Sequence, residues 1–150
     1  MDYNFPVVRT THPKARPADE TKLGFAKYFT DHMFAMDWDE GLGWHDGRVV
    51  PHEPLLIEPA SCVLHYAQMM FEGMKAYRTQ DGEIQIFRPD MNVKRMARTC
   101  ERMCIPELPE DLLVAAVRAV IKEDIDWVPK APGTALYIRP FIFGDEVSFS

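Results

Sequence analysis

Leu64-His65-Tyr66-Ala67-Gln68-Met69-Met70-Phe71-Glu72-Gly73-Met74-Lys75-Ala76-Tyr77 is the stretch that decides the fold, because two kinds of element meet in it. Ser61 to Phe71 reads as a helix with Cys62, Tyr66 and Met69 or Met70 on one side, and Gly73 is placed to end it. Met74 to Thr79 then reads as a strand, turned by Asp81-Gly82 into a second strand, Glu83 to Phe87. Upstream, the aromatic-rich segment from Lys27 to Trp38 lacks breakers and favours a strand, and Asp46-Gly47 gives a second hairpin signal between Trp44-His45 and Arg48-Val49-Val50. Downstream, Pro89 and Asp90 suit the first turn of a helix that carries Met96, Cys100 and Met103 inward. Leu113, Ala116, Val117, Val120 and Ile121 follow i, i+3, i+4, i+7, i+8, so Pro109 to Asp124 is predicted as an amphipathic helix whose start suits Glu110 and Asp111. Thr134 to Phe143 reads as one strand after the Pro132-Gly133 turn. The expected fold is a two-layer α+β domain, a mostly antiparallel sheet with helices on one face.

The 150 residues are 47% hydrophobic, enough for one core. Residues 1–23, rich in Pro, Thr and charge, read as an arm over the surface, with the domain at 24–150. No apolar run has the length of a membrane span, and no apolar segment follows the charged start, so the chain reads as soluble and cytoplasmic. A net charge of −6 with both signs mixed gives no basic stripe for nucleic acid. Three cysteines suit reduced thiols, with Cys100 and Cys104 expected to pack in the core, and the five histidines have no metal-ligand spacing, so no metal is expected.

On the strand from Thr134 to Phe143 a period of two places Ala135, Tyr137, Arg139, Phe141 and Phe143 on one face. A guanidinium among aromatics needs an anion or aromatic faces to satisfy it. The residues alone leave two readings of Arg139 open: a ligand for a carboxylate, or an exposed or acid-paired side chain. Arg95 stands beside its helix's apolar face and is read either as an anion-binding residue or as one of a solvated basic set with Lys94, Arg98 and Arg102. Phe25 and Phe71 read as core residues and Tyr66 as a helix residue whose hydroxyl finds a partner.

Taken in order, LHY…FEGMKA, FRP…N..RM and DWVP…G..LYIRP resemble the amino-terminal half of the branched-chain amino acid aminotransferases, fold-type IV enzymes that use pyridoxal 5′-phosphate. The resemblance covers about residues 24 to 150. It implies a small domain whose last strand, linker and large domain would follow Ser150, and a homodimer that exchanges amino groups between leucine, isoleucine or valine and 2-oxoglutarate. It implies that Arg95 contacts the cofactor phosphate, and that Tyr137 and Arg139 recognise the distal carboxylate of glutamate or 2-oxoglutarate. Phe25 and Phe71 would line the apolar side-chain pocket, Tyr66 would reach across the dimer interface, and Phe149 would lie on an inter-subunit loop. The family's Schiff-base lysine belongs to the large domain. None of the seven lysines here stands in its context, so this chain alone is expected to contain no catalytic residue and to be inactive. A D-amino acid aminotransferase or an aminodeoxychorismate lyase is the nearest alternative, disfavoured by FEGMKAY together with YIRP. A non-catalytic dimerisation module is the alternative of a different class.

Overall fold

The fold is described from a computed structural model over residues 3–148. His32–Asp39 (β1) and Gly43–Pro51 (β2) form an antiparallel hairpin. The short helix Cys62–Tyr66 (α1) leads into Met69–Phe71 (β3), and the hairpin Met74–Arg78 (β4) and Ile84–Ile86 (β5) follows. Two longer helices, Pro89–Met103 (α2) and Glu110–Glu123 (α3), precede Leu136–Ile138 (β6) and Phe141–Phe143 (β7). Among the described residues the strands form three small antiparallel sheets, β1-β2, β3-β7 and β5-β4-β6. The architecture is α+β, as expected, with the sheet divided rather than continuous.

Burial explains the arrangement. Met70, Met74 and Ala76 from the strands meet Val93, Met96 and Cys100 of α2 and Leu113, Val117 and Ile121 of α3 in one core. The α3 stripe behaves as its spacing requires, and Asp81-Gly82 does turn β4 into β5, with Gly82 at φ 84°. At the end of α2, Cys104 adopts left-handed φ 53°, and the Ile105 N–H reaches back to the Cys100 carbonyl at 2.9 Å. The chain therefore turns out of the helix directly after Met103. Ile105 is buried in place of Met103, which is exposed, and of the two helix cysteines only Cys100 enters the core.

Three expectations are corrected by longer-range contacts. Asp46-Gly47 is not a hairpin turn: the turn lies at residues 40–42, and Asp46 (φ 53°) sits inside β2 where the register against β1 shifts between Ala35 and Asp37. The positive φ that an Asp-Gly pair accommodates serves a bulge here. A Cβ on Gly47 would come 2.7 Å from the Phe5 ring, so the glycine also lets the N-terminal segment pack across the hairpin. Second, the helix expected over Ser61 to Phe71 stops at Tyr66, because Ala67 turns left-handed (φ 51°) and Met69–Phe71 pairs with β7. Third, Lys27 to Asp31 is irregular and β1 starts at His32.

Residues 3–10 of the expected arm run beside the hairpin. Val8 N–H donates to the Val49 carbonyl and Val49 N–H to the Pro6 carbonyl, both at 2.9 Å, while Tyr3 and Phe5 pack against the core. Thr10 N–H donates to His32 Nε2 at 3.0 Å, and the His32 ring and backbone N–H both bind Asp124, at 2.7 and 2.8 Å.

Two histidines of this region are expected to titrate in opposite directions. Asp46, and after it Asp39, hold His45 above its ordinary value, whereas burial, aided by the Lys14 ammonium, pushes His52 below it. His45 therefore contributes stability below the unfolded-state pKa that is lost as pH rises through its raised folded value. The His52 contribution is present above the unfolded-state pKa and lost as pH falls through its depressed one. Ring-carbon NMR titrations should give His45 the higher midpoint; the reverse order would contradict these pairings.

Candidate functional site

The site forms where two strands kink together. Phe71 lies opposite Phe141 and Met74 opposite Ile138, so the register runs unbroken from β3-β7 into β4-β6 and puts Glu72 and Gly73 opposite Pro140 and Arg139. Glu72 N–H donates to the Pro140 carbonyl at 2.9 Å. Pro140 has no N–H to return, so the expected single strand from Thr134 to Phe143 breaks into β6 and β7 at Arg139-Pro140. The side-chain alternation survives the break.

Four of the expected pocket residues come together on the outer face of this kink. The Arg139 guanidinium carbon lies 4.3 Å from the centroid of the Phe71 ring and 5.2 Å from that of Tyr137. Its Nη2 and Nε donate to the Tyr137 hydroxyl at 2.8 and 3.2 Å. Phe25 meets Tyr137 edge to face at 5.1 Å between centroids. Arg139 is exposed and, among the described residues, has no carboxylate partner, so aromatic faces and one hydroxyl hold a cation whose charge is uncompensated. Lys75 lies opposite Tyr137 in the β4-β6 ladder and adds a second cation on that face.

Tyr66 lies outside that set of contacts, on the last turn of α1 with 60% of its surface exposed. Phe149 lies outside the described residues. Arg95 stands on α2 and forms a two-point ion pair with Glu72, Nη2 to Oε2 at 2.6 Å and Nε to Oε1 at 3.2 Å. Its side chain stays 47% exposed beside that partner.

Three residues that shape this region escaped sequence reasoning. Glu72 is mostly buried and takes the Arg95 fork; Asn92, 8% exposed, donates Nδ2 to Glu72 Oε2 at 2.7 Å and to the Gly73 carbonyl at 2.8 Å. Gly73 is needed for its missing side chain, since a Cβ would fall 2.2 Å from the Tyr137 hydroxyl. The signal that could have found them is an acid beside a glycine within an apolar strand, and an Asn and an Arg three apart on one helix face. No group of His, Cys, Asp and Glu that could hold a metal occurs among the described residues.

A small α+β domain of antiparallel strands with few helices is the fold this chain shares with the fold-type IV transaminases. Over 93% of its length the chain is 51% identical to branched-chain-amino-acid transaminase 1 of Bacillus subtilis, and it covers 39% of that protein. It is 47% identical to the branched-chain-amino-acid aminotransferase of Mycobacterium tuberculosis, over 95% of this chain and 40% of the relative. Its structure superposes on a solved branched-chain amino acid aminotransferase of T.th., complexed with N-(5′-phosphopyridoxyl)-L-glutamate, with a TM-score of 0.53 and 29% identity over 65% of this chain and 31% of that one. No family model matches the chain. By sequence and fold it belongs with the branched-chain amino acid aminotransferases, and it spans about two fifths of the length of the curated relatives it matches.

Proposed function

We propose that this chain is the substrate-recognition part of a pyridoxal-phosphate enzyme that moves amino groups between leucine, isoleucine or valine and 2-oxoglutarate. The observation that carries the reading is Arg139, an uncompensated guanidinium laid against Phe71 and Tyr137. An apolar side chain can rest on the same aromatic faces that a carboxylate would share with the guanidinium, so one pocket accepts both substrate classes by turns. Close relatives named as branched-chain aminotransferases support the substrate class.

The residues present fit the phosphate end of the cofactor. Glu72 engages Nε and Nη2 of Arg95, which fixes the plane of the guanidinium and leaves the Nη1 edge to donate to an anionic oxygen. Pyridoxal phosphate, when bound, carries the amino group and accepts electron density from the amino acid Cα. This chain's residues bind and orient: Arg95 at the phosphate, Tyr137 and Arg139 at the distal carboxylate, Phe25 and Phe71 against the apolar side chain. The lysine that attaches the cofactor and moves the proton is assigned to the part of the relatives' length that this chain does not span, which makes the chain inactive by itself. A cytoplasmic homodimer with Tyr66 near the subunit boundary belongs to the same proposal. Among the described residues no helix is long and apolar enough to cross a membrane.

Arg139→Met in an enzyme of the relatives' full length is the test. The KM for glutamate and 2-oxoglutarate should rise far more than that for leucine, because only the diacids place a carboxylate at this position. Equal losses for all substrates would assign Arg139 to structure. Arg95→Ala should weaken cofactor retention by roughly 1.5–3 kcal/mol, the scale of a charged hydrogen bond, read as the cofactor concentration giving half-maximal reconstitution. Unchanged retention would remove Arg95 from the cofactor site.

A further inference from the structure

Arg95 and the Tyr137-Arg139 pair serve opposite ends of the bound molecules in the reading above, yet one short stretch of hydrogen bonds joins them. Glu72 receives Arg95 on both oxygens and Asn92 on Oε2. Asn92 spends the same amide nitrogen on the Gly73 carbonyl. Gly73, in turn, falls opposite Arg139 when the β4-β6 register is continued by one pair, and it lies so close under the Tyr137 hydroxyl, which binds the Arg139 guanidinium, that a Cβ would overlap it. Every member of the series is a neighbour of the next through a bond or a close contact.

A purely structural role makes weak use of these groups. Asn92 is buried on the same helix that sends Val93 and Met96 into the core, and an apolar side chain of similar size there would avoid desolvating an amide. Glu72 stands in a strand segment whose neighbours Met70 and Met74 are core residues. Both polar side chains point at the one place where the backbone must hold two arginine stations in fixed relation.

We propose that Asn92 and Glu72 are positioning residues that set the spacing between the phosphate-binding guanidinium and the distal-carboxylate site, an inference that rests on the function proposed above. Neither touches substrate or cofactor; they act through Arg95 and through Gly73 on Tyr137. Their loss should then affect both ends together, and only through those partners.

The test uses the full-length enzyme with Asn92→Leu, alone and combined with Arg139→Met or Arg95→Ala. Asn92→Leu should lower the ratio of kcat/KM for 2-oxoglutarate to that for a branched-chain 2-oxo acid about tenfold and raise the cofactor Kd by a similar factor. In the Arg139→Met background its effect on the ratio should vanish, and in the Arg95→Ala background its effect on cofactor Kd should vanish. Effects that persist in full in those backgrounds, or a lowered melting temperature with both quantities unchanged, would overturn the proposal. Should Asn92→Leu not accumulate as folded enzyme, Glu72→Gln keeps shape and an acceptor while loosening the Arg95 fork. It should move the same two quantities in the same direction by about threefold, and no movement in either would equally overturn the proposal. If Arg139→Met alone leaves the ratio unchanged, the proposed function fails. If Arg139→Met changes the ratio and the Asn92 and Glu72 variants do not, only this inference fails.

Discussion

Gly73→Ala, in an enzyme of the relatives' full length that works as proposed above, should reduce kcat/KM for glutamate and 2-oxoglutarate by roughly 100-fold, the loss expected when a positioning group moves by about 1 Å. The added methyl would stand 2.2 Å from the Tyr137 hydroxyl and 2.9 Å from the ring carbon that bears it. Tyr137 cannot absorb this freely, because its ring meets Phe25 edge to face and its hydroxyl binds Arg139 through two nitrogens. The phenol must shift, and Arg139 shifts with it. Global stability should fall by only about 1–3 kcal/mol, the range for one extra methyl in a packed place, since Gly73 has an ordinary φ and Tyr137 is partly exposed. Steady-state kinetics beside a thermal melt separates the two effects. Wild-type kinetics for glutamate and 2-oxoglutarate would show that the close approach of Gly73 and Tyr137 is not used.

The second large effect concerns the fold. Asp124→Ala is expected to destabilise the domain by roughly 2–6 kcal/mol, because two buried donors lose their acceptor at about 1–3 kcal/mol each. Those donors are the His32 backbone N–H and its ring Nδ1–H, 2.8 and 2.7 Å from the Asp124 carboxylate, with both side chains nearly fully buried. Because Thr10 N–H donates to Nε2, Nδ1 is the nitrogen that presents a proton to Asp124. Through this pair the N-terminal segment, the start of β1 and the end of α3 are tied at one point. Asp124→Asn keeps one acceptor oxygen but turns an amide donor toward the other N–H, so it should still lose about 1–3 kcal/mol. Urea unfolding checks both; equal midpoints for Asp124→Ala and the parent would mean that the contact adds nothing.

How far the sequence is legible follows the range of the interaction concerned. The α3 stripe, the start of α2 at Pro89 and the Asp81-Gly82 hairpin rest on residues within a few positions of one another, and each forms where its spacing places it. The motifs LHY…FEGMKA and LYIRP were sufficient to name the family, since residue identities in order carry that information without coordinates. The sequence by itself also set Tyr137 and Arg139 on one face, because alternation outlasts the break at Pro140. Tertiary structure alone decided what Asp46-Gly47 is for: a positive φ suits a turn or a bulge equally, and pairing with β1 selects the bulge. It ended α1 at Tyr66, where pairing of Met69–Phe71 with β7 outweighs the helical preference of the segment. It also chose Glu72 as the partner of Arg95 across 23 positions of chain, and placed Asn92 between that pair and Gly73. A carboxylate near an arginine can be read from composition, but which carboxylate reaches it depends on the crossing of a helix over a strand kink, and that crossing is set by packing of the whole core.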